Sequence, residues 1–192
     1  MSRLAFVDIE TTGLDVDRAE VWEVGLYIES SDPSEASSDD GEYSWLLPVS
    51  HLGTAEPEAL KLSGFYERHP DGGAKTVGRD QLFFLPHFAR EFESITRGAT
   101  LVGANVRFDE RFLDRLLRAQ NTSPSWHYRL CDVEALAQGA MRNPLPMGLA
   151  NSLNSMAARL ILVTPEFKAH NALEDAKAAR CLYHMVVNQF VP

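Results

Sequence analysis

The stretch Arg3-Leu4-Ala5-Phe6-Val7-Asp8-Ile9-Glu10 is apolar enough to be a buried strand, yet it carries two carboxylates at its end. Side chains on a strand alternate between faces, so Asp8 and Glu10 point to the same side. Two acids on one face repel and resist joint ionisation unless a cation sits between them. Taken alone, the pair can also be read as a strand end followed by a solvated loop residue. The next four residues, Thr11, Thr12, Gly13 and Leu14, form a turn-like tail to this strand.

Two further β-rich runs follow, at 21–30 (VWEVGLYIES) and 42–50 (EYSWLLPVS). The polar, acidic segment between them contains Pro, Gly, Ser and Asp, so the three strands read as an antiparallel meander with a long hairpin loop. A short helix is expected over 56–66 and loop chemistry over 68–80. From Pro86 the spacing of Phe88, Phe92 and Ile95 is helical, and Pro86 suits a first turn. Beyond this, short strands are expected at 99–104 and 127–132, each running into a helix. Asp132 is placed to cap the second of these helices. A further helix is expected over 152–160, and a long final one over 171–190 with Ala172, Ala176, Ala179, Tyr183 and Val186 inward. A meander followed by alternating strands and helices implies an α/β fold, a mixed sheet with helices packed on it.

The 192 residues, 45% hydrophobic and 23% charged, suit one soluble globular domain spanning 1–192. No apolar run is long enough to cross a bilayer, and no signal-peptide pattern opens the chain. Cys131 and Cys181 lack metal-ligand spacing and read as reduced thiols of a cytoplasmic protein. A net charge of −9 argues against broad electrostatic coating of nucleic acid. A local cleft with bound cations could still supply the positive charge.

Two other places carry candidate chemistry. In 103–113 (GANVRFDERFL), Asn105 and Asp109 are four apart and would share a helix face. Asp109 there is either a complement to the helix dipole or part of a site at the end of the preceding strand. In 170–176 (HNALEDA), His170 precedes the final helix and Asp175 adjoins its small-residue face. Acids and a histidine at strand ends and helix starts fall where open α/β sheets place their sites. All-oxygen carboxylate clusters select hard cations such as Mg²⁺ or Mn²⁺.

The three blocks FVDIETTGL, LVGANVRFDERFL and HNALEDA resemble, in order and interval, those of the DEDDh (DnaQ-like) 3′–5′ exonucleases. The resemblance extends to AEVWEVGLY, PEALKLSGF, CDVEALA and SLNSMAARL. It implies a ribonuclease-H-like five-stranded sheet, with three strands in an antiparallel meander and two parallel. It also implies two divalent ions, Mg²⁺ or Mn²⁺, held by Asp8, Glu10, Asp109 and Asp175, with His170 as general base. Thr11, Thr12, Gly13 and Leu14 would then seat the terminal nucleotide, with Leu14 wedged against the last base and Asn105 positioning the second block. Phe108 is a stacking surface on this reading and a core residue on the plainer one. The implied partners are single-stranded DNA or RNA 3′ ends, with DNA favoured slightly, and a polymerase or a second copy of the chain is a candidate. RNA trimming, oligoribonuclease-type action and a non-catalytic binding module on the same fold are the alternatives.

Two departures bear on substrate contacts rather than chemistry: Ala104 and Ser63 stand where many relatives carry histidine. Arg107, Arg111, Arg115 and Arg118 form a stripe that is either a solvated face paired with Glu110 and Asp114 or a guide for a strand. Lys61, Arg68, Lys75 and Arg79 are another source of contacts to a substrate backbone. Trp22, Trp45 and Trp126 read as packing residues.

Overall fold

The computed structural model describes residues 3–140, apart from 33, 35, 36 and 39, and residues 170–190. The helix expected over 152–160 lies outside the described residues. The meander is β1 (Arg3–Thr11), β2 (Val21–Ser30) and β3 (Gly41–Leu46). It is followed by the helices α1 (Pro57–Leu62), α2 (Phe65–Arg68) and α3 (Leu85–Thr96). The remaining elements are β4 (Thr100–Gly103), α4 (Val106–Ala119), β5 (Cys131–Asp132), α5 (Val133–Ala140) and α6 (Ala172–Phe190). The sheet order is β3-β2-β1-β4-β5, antiparallel through the meander and parallel from β1 to β5. This is the mixed sheet that the sequence predicts.

Alternation along β1 divides the core in two. Ala5, Val7 and Ile9 face one side, where Phe88 and Phe92 of α3 and Phe112, Leu113 and Leu117 of α4 cover them. Phe6 faces the other, against Ala179, Leu182 and Val186 of α6 and Val133 and Ala137 of α5. Asp8 and Glu10 share the face of Phe6, so they look towards α6 rather than into the larger apolar cluster.

What lets α6 come close is Gly25, the β2 partner of Asp8. A Cβ at this position would stand 2.2 Å from the carbonyl carbon of Ala172. The first turn of α6 thus rests on bare β2 backbone beside Asp8. Ala172, Ala176, Ala179 and Val186 are buried as expected, while Tyr183 is half-buried and packs edge-on against Phe6 at 5.6 Å. Leu182 takes the fully inward place, because it follows Ala179 by three residues on the same face.

Several expectations are corrected. The strand anticipated at 127–132 is reduced to Cys131–Asp132, which pair with Val102 and Gly103, while Tyr128 turns out to solvent. The helix anticipated over 56–66 is two helices broken at Gly64, whose φ of 70° ends the first one. Asn105 and Asp109 do not share a face: Asn105 lies ahead of α4 with φ 51°, exposed, while Asp109 is buried. Asp132 caps α5 as expected, accepting the N–H groups of Glu134 at 2.9 Å and Ala135 at 3.0 Å. Trp22 and Trp45 are buried and Trp126 packs at the core margin.

Gly25→Ala is expected to destabilise the protein by about 1–3 kcal/mol through overpacking, because the obstacle is main chain and cannot rotate away. Urea denaturation checks this. An unchanged midpoint would show that α6 does not rest on β2 here.

Candidate active site

Three chain segments meet on the α6 side of β1. Glu10 comes from the end of β1, His170 from the residue pair before α6, and Asp175 from the first turn of α6. One ligand atom from each of these three side chains lies within 4.8 Å of the other two. Among the described residues this is the group of acids and histidine compact enough to hold a metal ion.

Asp8 and Asp109 stand behind it. The parallel pairing of β1 with β4 stops at Phe6 and Val102, so the next outward-facing N–H of β1 on that side lacks a strand partner. Asp109 supplies the acceptor: its Oδ1 takes the N–H of Ile9 at 3.2 Å. Asp109 lies within the buried stripe of α4, with Val106, Leu113 and Leu117. An acid at such a position goes beyond a simple dipole complement, which needs no burial.

The electrostatics show how poorly these acids tolerate one another. Burial pushes Asp8 well above the usual carboxylate range, and the charges of Asp109, Asp175, Glu10 and Glu23 push it further. Glu10 is raised to about 8, first by burial and then by Glu23, with Arg68 pulling the other way. Asp109 and Asp175 are also raised, mainly by burial. The N–H of His170, donating to Asp175 Oδ2 at 2.8 Å, opposes the rise at Asp175. Carboxyls raised in this way gain most from a cation, which would restore their ionised forms. A set of carboxylate oxygens with one imidazole suits a hard divalent ion such as Mg²⁺ or Mn²⁺.

The Thr11–Leu14 turn is built around internal bonds. Thr12 is fully buried, and its hydroxyl accepts the N–H of Glu20 at 2.9 Å. The Thr11 hydroxyl donates to the Gly13 carbonyl at 2.7 Å. Glu56 closes the turn from outside, donating its N–H to the Thr12 carbonyl at 2.7 Å and accepting the Leu14 N–H at 3.1 Å. A Cβ on Gly13 would come within 2.8 Å of that Glu56 carboxylate oxygen. Both threonines therefore shape the turn, and Leu14 is left 71% exposed at its tip. Phe108 is half-buried, its ring 4.8 Å from Phe112, and Asn105, three residues earlier, is exposed.

Sequence reasoning missed Glu23. It pairs with Glu10 across β1 and β2 and is only 3% exposed. The signal was there to be read, since a lone acid inside the apolar run VWEVGLY needs a partner. That partner is Arg68, whose Nη1 donates to both Glu23 oxygens at 2.6 and 2.7 Å. Arg68 thus faces inward rather than to a substrate. Arg79 pairs with Asp71, and Lys61 and Lys75 are exposed. On α4, Arg107 pairs with Glu110 at 3.3 Å and Arg118 with Asp114 at 2.9 Å, Arg115 donates to the Ala19 carbonyl, and Arg111 is exposed. Ser63, buried, donates its hydroxyl to the Ala59 carbonyl at 2.9 Å.

Residues 5–183 match the RNase_T family, described as exonuclease. The chain belongs to this exonuclease family. The mitochondrial oligoribonucleases of Bos taurus and Homo sapiens are each 26% identical to it over 145 residues, which is 71% of this chain. The chain spans 56% of the length of those relatives. Among solved structures, the zinc-bound E. coli exonuclease I–ssDNA complex superposes with a TM-score of 0.75 at 18% identity. That match covers 99% of this chain and 41% of the other. Exonuclease I with a dT13 oligonucleotide gives 0.72 at 18% identity, over 97% and 41%. The shared fold is the ribonuclease-H-like one. Among the described residues, no helix is long and apolar enough to cross a membrane.

The raised acids set a pH dependence. Glu10, raised from 4.5 to about 8, keeps its proton in the fold after the unfolded chain has released it. The fold therefore binds more protons over that window, so its metal-free stability is greatest at the acid end and falls as pH rises. The melting temperature in chelator is expected to drop between about pH 5 and about pH 8, and Glu10→Gln should flatten the drop. Mn²⁺ should raise the melting temperature more at the alkaline end, where it competes with fewer protons. A metal-free melting temperature that climbs across this window would contradict the assignment.

Proposed function

We propose that this chain, as a single domain over 1–192, is a metal-dependent 3′–5′ exonuclease acting on single-stranded nucleic acid ends. The observation that carries the reading is the convergence of Glu10, His170 and Asp175 within 4.8 Å, backed by Asp8 and Asp109. Membership of the exonuclease family supports it over a non-catalytic end-binding module. A binding module would also have no use for buried acids that repel one another.

Asp8, Glu10, Asp109 and Asp175 would hold two divalent ions, Mg²⁺ or Mn²⁺. Such ions, when bound, neutralise charge on a scissile phosphate and make a water more acidic. The chain's own residues do the rest. Leu14, at the exposed tip of a turn braced by Glu56 and Thr12, offers an apolar surface to the terminal base, and Phe108 offers a second. Those contacts would hold the last phosphodiester over the acids. His170 has an exposed side chain at the mouth of α6, from which an imidazole nitrogen can take the proton of the attacking water. A phosphorus–oxygen bond forms to that water and the bond to the upstream 3′-oxygen breaks. The leaving oxygen takes up a proton to give a new 3′-hydroxyl and a nucleoside 5′-monophosphate.

Single-stranded DNA is the favoured substrate, supported by the fold shared with exonuclease I, whose complexes hold ssDNA and dT13. Short RNA is the second reading, favoured by the oligoribonuclease relatives. The two differ in contacts to the terminal 2′-hydroxyl.

With 5′-labelled DNA, RNA and dinucleotide substrates and Mn²⁺, a descending ladder is expected, abolished by chelator and by Asp175→Ala. His170→Ala should lower kcat by about 10²–10⁴-fold. Absence of metal-dependent cleavage on every one of these substrates would sink the proposal.

A further inference from the structure

His170 sits outside α6 with φ 61°, a left-handed conformation that costs a side-chain-bearing residue about 1–2 kcal/mol. Its surroundings must impose that conformation, and two hydrogen bonds do so. Its N–H donates to Asp175 Oδ2 at 2.8 Å, and its carbonyl accepts from Arg68 Nη2 at 2.8 Å. The main chain of His170 is therefore gripped on both sides of one residue.

Arg68 is itself fully engaged. Nε and Nη2 donate to the Ser63 carbonyl at 3.2 and 2.7 Å, Nη2 donates also to His170, and Nη1 spans the Glu23 carboxylate. A guanidinium has five N–H donors, and these contacts leave none for a phosphate. The guanidinium also lies over the Trp22 ring, 4.8 Å from its centre. A β-bulge makes this possible: Glu10 pairs with Glu23 and Thr11 with Val21, so Trp22 is an extra residue displaced from the ladder beside Glu23. Glu23 in turn accepts the Ala172 N–H at 3.3 Å and Asn171 Nδ2 at 3.4 Å, at the start of α6.

We propose that Arg68 is a positioning residue for catalysis, holding the His170 main chain so that its imidazole faces Glu10 and Asp175. The proposal rests on the reading of His170 as general base. Arg68 acts through His170 and touches no substrate. Lysine cannot replace it, because one ammonium cannot span the Glu23 carboxylate and two carbonyls in the planar fork that arginine provides.

The test compares Arg68→Met and Arg68→Lys with the parent, each also in a His170→Ala background. Amide hydrogen exchange is followed on the full-length proteins. In the parent background both substitutions should lower kcat by about 10²-fold, as expected for a displaced reacting group. At saturating Mn²⁺, which offsets the loss of the Arg68 charge beside Glu10, KM should stay within about twofold of the parent, as for an interaction made only in the transition state. With His170 already removed, Arg68→Met should change the rate by less than about twofold, the non-additivity of residues that act as a unit. Exchange should quicken at His170 and Ala172, whose N–H groups are hydrogen-bonded in the parent, while β1 and β2 stay protected. An equal loss of rate in both backgrounds, or full rescue by lysine, would overturn the role. Unchanged exchange at His170 would overturn it whether or not the wild-type protein cleaves. If the wild-type protein does not cleave at all, the exonuclease reading falls and the catalytic role with it, while the exchange data still decide whether Arg68 holds His170.

Discussion

Glu10 and Glu23 lie opposite each other on neighbouring strands, both buried, with Asp8 on the same face. Like charges placed directly across a ladder destabilise it, and burial multiplies the effect. The structure answers with two different devices. Glu23 is given a guanidinium that meets both of its oxygens, and the first N–H of α6 as well. Among the described residues no guanidinium pairs directly with Glu10; it holds its proton up to about pH 8 and is turned towards His170 and Asp175. One acid is settled by the protein and the other is left to be settled by something that binds. This asymmetry between adjacent carboxylates is what separates a structural ion pair from a candidate metal ligand in the same sheet.

The division follows from which element carries each group. β1 is central and its acids face α6, which cannot retreat from them because its first turn rests on Gly25. Asp109 reaches the same region from the opposite layer by ending the hydrogen bonding of β1 where β4 stops. Sheet and helices therefore hold the acids together at a cost that burial imposes and metal binding can offset.

Much of this was legible in the chain. Period-two and period-3.6 patterns located the strands and long helices, and the small residues at Ala172, Ala176 and Ala179 marked the close face of α6. The acids of the three sequence blocks were legible as a set because strand ends and helix starts bring them to one edge. The rest depended on tertiary geometry. Nothing local distinguishes Arg68 from Arg79, yet one is locked inward by Glu23 and the other pairs on the surface. The bulge at Trp22 has no sequence signal, since it arises from how β2 meets β1. Spacing alone placed Asn105 with Asp109, but the left-handed residue ahead of α4 removed Asn105 from that face. Likewise nothing in the sequence shows that Thr12 is fully buried, its hydroxyl accepting the N–H of Glu20 eight residues further on.

The segment formed by α1 and α2 touches the rest of the molecule at two well-separated functions. Glu56 at its start fastens the turn that carries Leu14, and Arg68 at its end fastens His170. Between them it is pinned by Leu60 and Phe65 against Trp22. It therefore works as a yoke, tying the turn that carries Leu14 and the main chain of His170, the groups proposed to meet a substrate's last residue and to act as base, to the same short stretch of chain. Neither end can drift while the other stays in register. An insertion or deletion inside this stretch would misalign both at once, so its length is under tighter constraint than its exposed side chains suggest.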